Sequence, residues 1–468
     1  MTAQMRFTAL LVLAFLTLAF AYFFQTYDLV LALFFGVVAL SGLILLRNAY
    51  KTAYEITVFS LPLSVPATLL PNTQMLLPAE FCLTVLALSL LVLFIKNRLF
   101  KLWLRHPWPA LWALSLFAAT LFSEMPLVSA KFAIINAIYV WVFYYGLNLY
   151  LQEGGAFLKP IRLFAWGILP ACLWGFWQFA RFEFNPITLR GLFEPFFYSH
   201  TYFGATTAVL GGYFTGKAFE NRKWVWWAVF FILLTIGSQS RAALWSLLFM
   251  GGVAVYMGLK PWLKWALPVF VLLTMASLSS PENWLYIFEQ NAFESHNPQA
   301  SLAEKTMSVT NLTTDVSNVE RLNRWISALR MFKEKPHHGF GPGTYQFTYI
   351  PFQEPALENR LTVKNPDSPP EGSGGTAHSE WLLQLSECGW PTFSLFVSLL
   401  ALWFFKAFKK GENQKALLPF ILGLLTYYFH MHFNNFLNQA AFAFLFWSFG
   451  AMIQFSSNTN PACTITKK

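Results

Sequence analysis

Long apolar runs recur along almost the whole chain and are separated by short polar segments. A run of about 20 apolar residues is what an α-helix needs to cross roughly 30 Å of hydrocarbon. The runs are centred in residues 7–24, 28–46, 56–70, 75–95, 109–122, 127–151, 161–180, 201–217, 224–240, 242–258, 262–279, 380–405, 416–430 and 437–455. Because 56–70 and 109–122 are short and flanked by Pro, the pattern predicts an all-α polytopic membrane protein with about 12–14 transmembrane helices.

The composition supports a membrane protein. Hydrophobic residues make up 56% of the 468 residues and charged residues only 12%, so the chain is more apolar than a soluble domain can bury. The first run, 7–24, lacks a small-residue cleavage site and another run follows at once, so we interpret it as a span and not as a signal peptide.

One long polar stretch, residues 280–377, interrupts the apolar pattern and divides the chain into three regions. We expect an N-terminal transmembrane bundle at 1–279, a large loop carrying short helices at 280–377, and C-terminal transmembrane helices with a tail at 378–468. Within the loop, 318–336 has apolar residues at helical spacing and ends at a Pro, which predicts an amphipathic helix. The segment "GFGPGTYQ" (339–346) predicts a Gly/Pro turn.

The distribution of charge predicts the orientation. The net charge is +10, but the basic residues are spread over short loops, which argues against a nucleic-acid-binding surface. With the N-terminus in the cytoplasm, most of the 32 Lys and Arg residues fall on cytoplasmic segments, as the positive-inside pattern requires. We therefore expect both termini in the cytoplasm and the 280–377 loop on the outer face.

The histidines gather on one predicted side of the membrane. All of them except His106 lie on the outer side in this topology. The pairs at 337–338 and 430–432 lack the spaced third ligand of a zinc site, so we expect neither a metal nor another cofactor.

His378 lies where the polar stretch ends and a span begins, in "TAHSEWLLQLSECGWPT" (376–392). The positive end of a helix dipole disfavours imidazolium and keeps the ring neutral. A neutral imidazole near pH 7 is a competent general base. Gly389 returns to the same helical stripe about three turns deeper, where a glycine would let a neighbouring helix pack closely beneath the histidine.

Four arginines lie on the predicted outer side, and each fits either a functional residue or an ordinary surface residue. Arg241 lies between two apolar spans, and a charge at such a place usually faces a cavity, a partner or an anionic ligand. It can equally snorkel to lipid headgroups. Arg190 also fits an ordinary loop arginine, and Arg321 and Arg324 also fit the solvated face of a helix.

Four segments resemble, in the same order, motifs of the O-antigen ligase superfamily. "RGLFEPFFYSHTYFG" (190–204) is similar to its Arg-Gly-x-Phe loop, and "SQSRAAL" (238–244) to its Ser-Arg-Gly/Ala start of a span. "RLNRWISALRMFKEKPHHGFGPGTYQF" (321–347) resembles its periplasmic block of Arg-x3-Trp, Pro and Gly-x-Gly-x-Gly. "AHSEWLLQLSECGWPT" (377–392) resembles its His-(Asn/Ser)-x9-Gly signature, although the family commonly has a second glycine where this chain has "WPT".

The resemblance implies a multi-pass enzyme of the bacterial inner membrane whose active face is periplasmic. Such an enzyme moves a glycan from an undecaprenyl-diphosphate carrier to an acceptor hydroxyl, without metal and with inversion. Preorganised arginines stabilise the charge that develops on a diphosphate leaving group. The resemblance implies His378 as the base and gives roles in binding or catalysis to Arg190, Arg241, Arg321, Arg324, His337, His338 and Ser379, with Gly389 as a structural residue.

Several acceptors fit the same donor chemistry. Lipid A-core is the acceptor that we favour, while a polymerase would use a second glycan and a protein O-oligosaccharyltransferase a Ser or Thr hydroxyl. A lipid-linked glycan transporter or flippase is the alternative from another class, and it would have matching halves with ionisable groups near the midplane. Lys131 and Glu80 are the clearest charges within predicted spans and no internal repeat is evident, so we favour the enzyme.

The predicted orientation is tested by labelling a cysteine introduced at Ser373 in a chain whose four native cysteines are replaced. A membrane-impermeant maleimide added outside should label this cysteine in intact cells, because the 280–377 loop faces outward. Labelling only after the inner membrane is opened would place the loop in the cytoplasm and contradict the orientation.

Overall fold

A computed structural model of the chain describes residues 29–47, 49–70, 73–97, 100–183, 191–258, 316–370, 375–408 and 414–455. These residues are almost entirely helical and include one two-stranded hairpin. The protein is an all-α polytopic membrane protein, as the apolar runs predict. The runs at 7–24 and 262–279 and the first part of the 280–377 loop lie outside the described residues.

The described helices follow the apolar runs closely. In chain order they are α1 (Leu29–Arg47), α2 (Tyr50–Ser60), α3 (Ala79–Asn97), α4 (Phe100–Arg105), α5 (Trp108–Thr120), α6 (Pro126–Gln152), α7 (Leu158–Arg181), α8 (His200–Glu220), α9 (Val225–Gly237), α10 (Arg241–Gly258), α11 (Val316–Glu334), α12 (Glu380–Phe408), α13 (Gln414–His430) and α14 (Ala440–Phe455). A π-helical turn, Val140–Tyr145, lies within α6. Among the described residues, α6, α7 and α12 are long and apolar enough to cross a membrane.

The run at 56–70 does not form a single helix, so the span predicted there is wrong. After α2 the chain makes a 3-10 turn at Leu61–Leu63 and then forms the antiparallel strands β1 (Val65–Leu70) and β2 (Thr73–Leu77). Pro62 and Pro66 lie in this segment. Because proline has no N–H to donate and a fixed φ, these residues end the helix although the segment remains apolar.

Helix α14 lies at the centre of the bundle. Helices α8 and α13 also lie there and pack closely against each other. Nearly every residue of α14 is buried, as expected for a helix that is apolar on all sides. Glycines on α8 let α13 approach, since a Cβ at Gly212 would lie 2.6 Å from the carbonyl oxygen of Leu422, and one at Gly216 would overlap Pro419. Apolar side chains such as Trp226 on α9 remain exposed, as on a lipid-facing surface.

Residues 316–370, called here the cap segment, fold against the beginning of α12. The amphipathic helix predicted over 318–336 is confirmed as α11. It is followed by a one-turn helix at Tyr345–Thr348 and 3-10 turns at Ile350–Phe352 and Pro355–Leu357. A hydrophobic cluster of this segment extends to Ala377 and to Leu383 of α12, so the cap segment is fixed to the helix that His378 precedes.

Candidate functional site

His378 lies two residues before α12 in a strained backbone conformation. Its φ is 49°, in the left-handed region that residues other than glycine rarely adopt. Ser379 caps α12, because its carbonyl oxygen accepts from the N–H of Leu383 at 3.0 Å and its Oγ accepts from the N–H of Leu382 at 3.4 Å. Such strain at a candidate catalytic residue is typical of a functional site.

The surroundings of His378 keep its imidazole neutral. Burial, and then the positive charges of Arg324 and Arg321, lower the pKa of His378 well below its usual value. A hydrogen bond with the Asn434 side chain acts in the opposite direction. Both causes favour the neutral ring that the sequence predicts, and burial is the larger of them.

Arg324 is enclosed by the cap segment and holds the chain just before His378. Its side chain is 1% exposed, and its Nε donates to Glu320 Oε1 at 2.8 Å. Its Nη1 donates to the carbonyl oxygen of Thr376 at 3.0 Å, and its guanidinium carbon lies 5.8 Å from the centroid of the Tyr349 ring. These contacts connect α11 directly to the residues that lead into α12.

Arg321 is less enclosed than Arg324. It is half-buried, and its Nη1 donates to Asn318 Oδ1 at 3.2 Å. Its charge, after that of Arg324, contributes to the lowered pKa of His378. Arg190, the other candidate for anion binding from the sequence, lies outside the described residues.

Arg241 begins α10 after a tight turn that is fixed against α8. Gln239 has a φ of 53°, Ser238 Oγ accepts from the N–H of Ser240 at 3.2 Å, and a Cβ at Gly204 of α8 would lie 2.5 Å from that Oγ. That contact puts the start of α10 beside the start of α8. Since Gly212 of α8 lies against Leu422 of α13 and Gly216 against Pro419, these two helices run antiparallel, so the end of α13 lies at the same end as the start of α8.

The end of α13 in turn lies beside the start of α12. The N–H of Glu380 donates to the carbonyl oxygen of Met431 at 2.9 Å, and the Tyr202 and Phe436 rings are 5.5 Å apart between centroids. Arg241 and His378 are therefore at the same end of the bundle.

The Gly-x-Gly-x-Gly turn wraps around α12 at Glu387. Its glycines Gly339, Gly341 and Gly343 have φ values of 63°, 115° and 77°, which only glycine adopts readily. The N–H of Gly343 donates to Glu387 Oε2 at 2.8 Å, and that of Tyr345 donates to Oε1 at 2.9 Å. Backbone donors from the cap segment therefore satisfy a carboxylate within the span α12.

Gly389 interrupts α12, with φ 72° and ψ 177°. The sequence predicts that it lies on a continuous helical stripe with His378 and faces a neighbouring helix. That prediction is wrong in both respects, because the helix is broken there and a Cβ at Gly389 would overlap the backbone of His337. The N–H of Trp390 donates to the carbonyl oxygen of Pro336 at 2.9 Å. The close approach permitted by glycine is thus made by the cap segment.

His337 and His338 lie at this break in α12. His337 Nδ1 accepts from Trp390 Nε1 at 2.9 Å, and the ring of His338 stacks on Phe122 with 4.9 Å between centroids. The break is roughly three helical turns along α12 from His378. The ring of His337 therefore contacts α12 at its break, and the ring of His338 contacts the turn that follows α5.

Sequence reasoning missed three polar residues of this region. Glu380 is buried and accepts from the hydroxyl of Tyr427 at 2.9 Å. Glu387 is held by the glycine turn. Asn434, whose Nδ2 lies 3.2 Å from Nδ1 of His430, contributes to the pKa of His378. The two glutamates had a visible signal, because acidic residues inside an apolar run need partners. Asn434 had no such signal in the sequence, because it lies far from His378 along the chain.

Comparison with known families gives one match. Residues 226–397 match a family model described as O-antigen ligase, and no curated protein matches the chain. The matched range runs from α9 into α12 and includes Arg241, Arg321, the glycine turn and His378. Arg190 and Asn434 lie outside it.

Breaking the buried ion pair of α11 should destabilise the protein. Glu320→Gln removes the charge that faces Arg324, and both side chains are at most 6% exposed. Loss of one partner of a buried pair leaves an uncompensated charge, so we expect the free energy of unfolding to fall by about 3 kcal/mol. Thermal unfolding in detergent, followed by size-exclusion chromatography, measures this. Glu334→Gln, an exposed change on the same helix, is the control, and equal melting of both variants and the wild type would contradict the prediction.

Proposed function

Since the chain belongs to the O-antigen ligase superfamily, we propose that it transfers a glycan from undecaprenyl diphosphate to an acceptor hydroxyl, with lipid A-core as the favoured acceptor. Members of this family are glycosyltransferase-like ligases and polymerases of the bacterial inner membrane. The observation that carries the proposal is the position of His378 at the start of α12, where Arg324 of α11 donates to the carbonyl oxygen of Thr376 and burial and the charges of Arg324 and Arg321 lower the pKa of the imidazole.

His378 acts as the general base. The oxygen of the acceptor hydroxyl attacks the anomeric carbon of the glycan, and its proton passes to the free nitrogen of the imidazole. The bond between the anomeric carbon and the diphosphate oxygen breaks, and the electron pair leaves with undecaprenyl diphosphate. Because one displacement occurs at the anomeric carbon, its configuration inverts.

The arginines have different tasks in this proposal. Arg321 is half-buried near the imidazole and is the group that we assign to the departing diphosphate, where a guanidinium forms charge-assisted hydrogen bonds. Arg324 is enclosed by Glu320 and Thr376, so we assign it to holding His378 in place. Arg241 begins α10, and the N-terminus of a helix adds to its attraction for an anion.

The remaining candidates act at the edges of the site. Arg190 contributes to donor binding in this proposal, and His337 and His338 contact the substrate from the turn that meets the break in α12. Ser379 acts through the cap that it forms on α12, next to the base.

The two glutamates of α12 favour an enzyme over a transporter. A transporter needs ionisable groups that change partners as substrate or ions move. Glu387 is held by the backbone of Gly343 and Tyr345, and Glu380 by the hydroxyl of Tyr427. These bonds hold the cap segment and α13 against α12. Such fixed contacts favour a preorganised enzyme site over a transporter.

Transfer by the purified protein tests the proposal. An undecaprenyl-diphosphate-linked oligosaccharide is offered with EDTA present and with lipid A-core, a second lipid-linked glycan or a Ser/Thr-containing protein as acceptor. We expect transfer to lipid A-core. His378→Ala should lower kcat by about 10²- to 10⁴-fold because the base is lost, and Arg321→Ala by about 10²- to 10³-fold because a charge-stabilising group is lost.

Lys333→Ala is the matched control, because Lys333 is an exposed basic residue of the same helix. It should retain wild-type turnover. Full activity of the His378→Ala variant would show that His378 is not the base. A wild-type protein that binds the donor but transfers it to none of the three acceptors would contradict the proposed transferase and favour transport.

A further inference from the structure

Tyr345 connects the two helices that carry the candidate catalytic groups. It lies two residues after Gly343 of the glycine turn and is 1% exposed. Its backbone N–H donates to Glu387 Oε1 of α12 at 2.9 Å, and its hydroxyl donates to the main-chain carbonyl oxygen of Arg324 of α11 at 2.7 Å. One residue of the cap segment therefore contacts α12 through its backbone and α11 through its side chain.

The bond from the Tyr345 hydroxyl is not part of the helical hydrogen-bond pattern of α11. Arg324 lies in the interior of that helix, where a carbonyl oxygen accepts from the N–H four residues further along. A carbonyl oxygen has two lone pairs, so it can also accept from Tyr345. The additional bond therefore fixes where α11 lies relative to the cap segment and α12.

Tyr349 provides a comparison within the same cluster. The rings of Tyr345 and Tyr349 stack with 4.8 Å between their centroids, and Tyr349 is 0% exposed. The hydroxyl of Tyr349 has no hydrogen-bond partner among the described residues, whereas that of Tyr345 bonds to α11. The two rings share the same packing, and the bond to α11 distinguishes Tyr345.

Helix α11 in turn contacts the main chain on both sides of His378. Arg324 Nη1 donates to the carbonyl oxygen of Thr376 at 3.0 Å, and Trp325 Nε1 lies 3.5 Å from the carbonyl oxygen of His378. His378 itself has a φ of 49°, a conformation that persists only where the surrounding structure holds it. A shift of α11 would therefore move its arginines and also release the backbone that carries the imidazole.

We propose that Tyr345 is a positioning residue that transmits the place of Glu387 on α12 to α11, and that it thereby sets where the arginines of α11 lie relative to His378. This inference rests on the proposed function. The path runs from Glu387 through the N–H and the hydroxyl of Tyr345 to Arg324, and from Arg324 to Thr376. In a glycosyl transfer the base and the group that stabilises the leaving group act on one substrate, and a misplacement of about 1 Å can cost about 100-fold in rate.

The first experiment measures transfer by Tyr345→Phe, per folded molecule recovered as a single species by size-exclusion chromatography. This variant keeps the ring and the backbone N–H but loses the bond to Arg324. We expect kcat to fall by about 10- to 100-fold, the range for a misplacement of up to about 1 Å. The donor KM should change less, because Arg241 lies on α10 and is unaffected. A purely structural role would lower the yield of folded protein and leave kcat per folded molecule unchanged.

Tyr349→Phe is the matched control. It makes the same change in the neighbouring ring, where the lost hydroxyl has no partner among the described residues, and it keeps the aromatic face near the Arg324 guanidinium. We expect wild-type kcat and KM. Equal kcat in Tyr345→Phe, Tyr349→Phe and the wild type would overturn the inference.

Glu387→Gln tests the other end of the path. A glutamine has one oxygen that accepts and an NH2 group that cannot, so one of the two backbone bonds to the cap segment is lost. Its kcat should also fall, and the combined variant with Tyr345→Phe should lose less than the product of the two separate fold-losses, because both changes break one path. A loss equal to that product would show that Tyr345 acts independently of Glu387 and contradict the path.

Hydrogen exchange followed by mass spectrometry needs no transfer activity. In Tyr345→Phe the amides of 316–334 and 376–383 should exchange faster than in the wild type, because α11 is no longer held against α12. Tyr349→Phe should match the wild type, and the amides of α10 should exchange equally in all three proteins. Unchanged exchange in both segments of Tyr345→Phe would contradict the inference.

Failure of this inference differs from failure of the proposed function. If the wild type transfers glycan and Tyr345→Phe keeps its kcat and its exchange, Tyr345 has no positioning role. If the wild type transfers nothing, the proposed function fails, and exchange over 376–383 still decides whether Tyr345 holds α11 against the chain that carries His378. Should Tyr345→Phe not fold, Glu387→Gln decides: unchanged exchange over both segments in that variant overturns the inference.

Discussion

The carboxylate of Glu387 is the anchor on which the arrangement of the site depends. It is buried within an apolar span, where an acidic side chain without hydrogen-bond partners is unfavourable. The cap segment supplies its partners through the backbone N–H groups of Gly343 and Tyr345. Those donors converge only because the turn has glycines with positive φ. The need to satisfy one buried carboxylate therefore sets where the cap segment lies on α12.

From that anchor, polar contacts lead to the imidazole. Arg324 of α11 is paired with Glu320 and donates to the carbonyl oxygen of Thr376, two residues before His378. The same helix brings Arg321 to the site, and both positive charges oppose protonation of the ring. A single arrangement thus accounts for an imidazole that favours its neutral form and for positive charge near it, which are the two requirements of the displacement of a diphosphate by a hydroxyl that we propose.

The sequence predicts the helices well where apolar content alone decides them. It predicts α11 because its apolar residues follow helical spacing. It fails at 56–70, since a hairpin is as apolar as a helix and only its prolines reveal the difference. It fails at Gly389 because composition does not show that the backbone there has positive φ.

Within the site, local motifs revealed His378 and the arginines, but not the groups that orient them. Glu387 is recognisable as an acidic residue inside a span, although its partners are not. Asn434 lies in the loop after α13, whose end contacts the start of α12 through Glu380 and Met431, and no pattern along the chain records such a contact. The surrounding groups of a catalytic residue come from distant segments, so they require a structure.

The most direct test of the assigned chemistry is an experimental structure with a non-hydrolysable phosphonate analogue of the undecaprenyl-diphosphate glycan bound. We expect its phosphorus-bound oxygens within about 4 Å of the Arg321 and Arg241 guanidinium groups, the range of an ion pair, and its anomeric carbon on the side facing His378. An analogue bound with its charged group away from both arginines, or with α11 between its anomeric carbon and His378, would contradict the assignment.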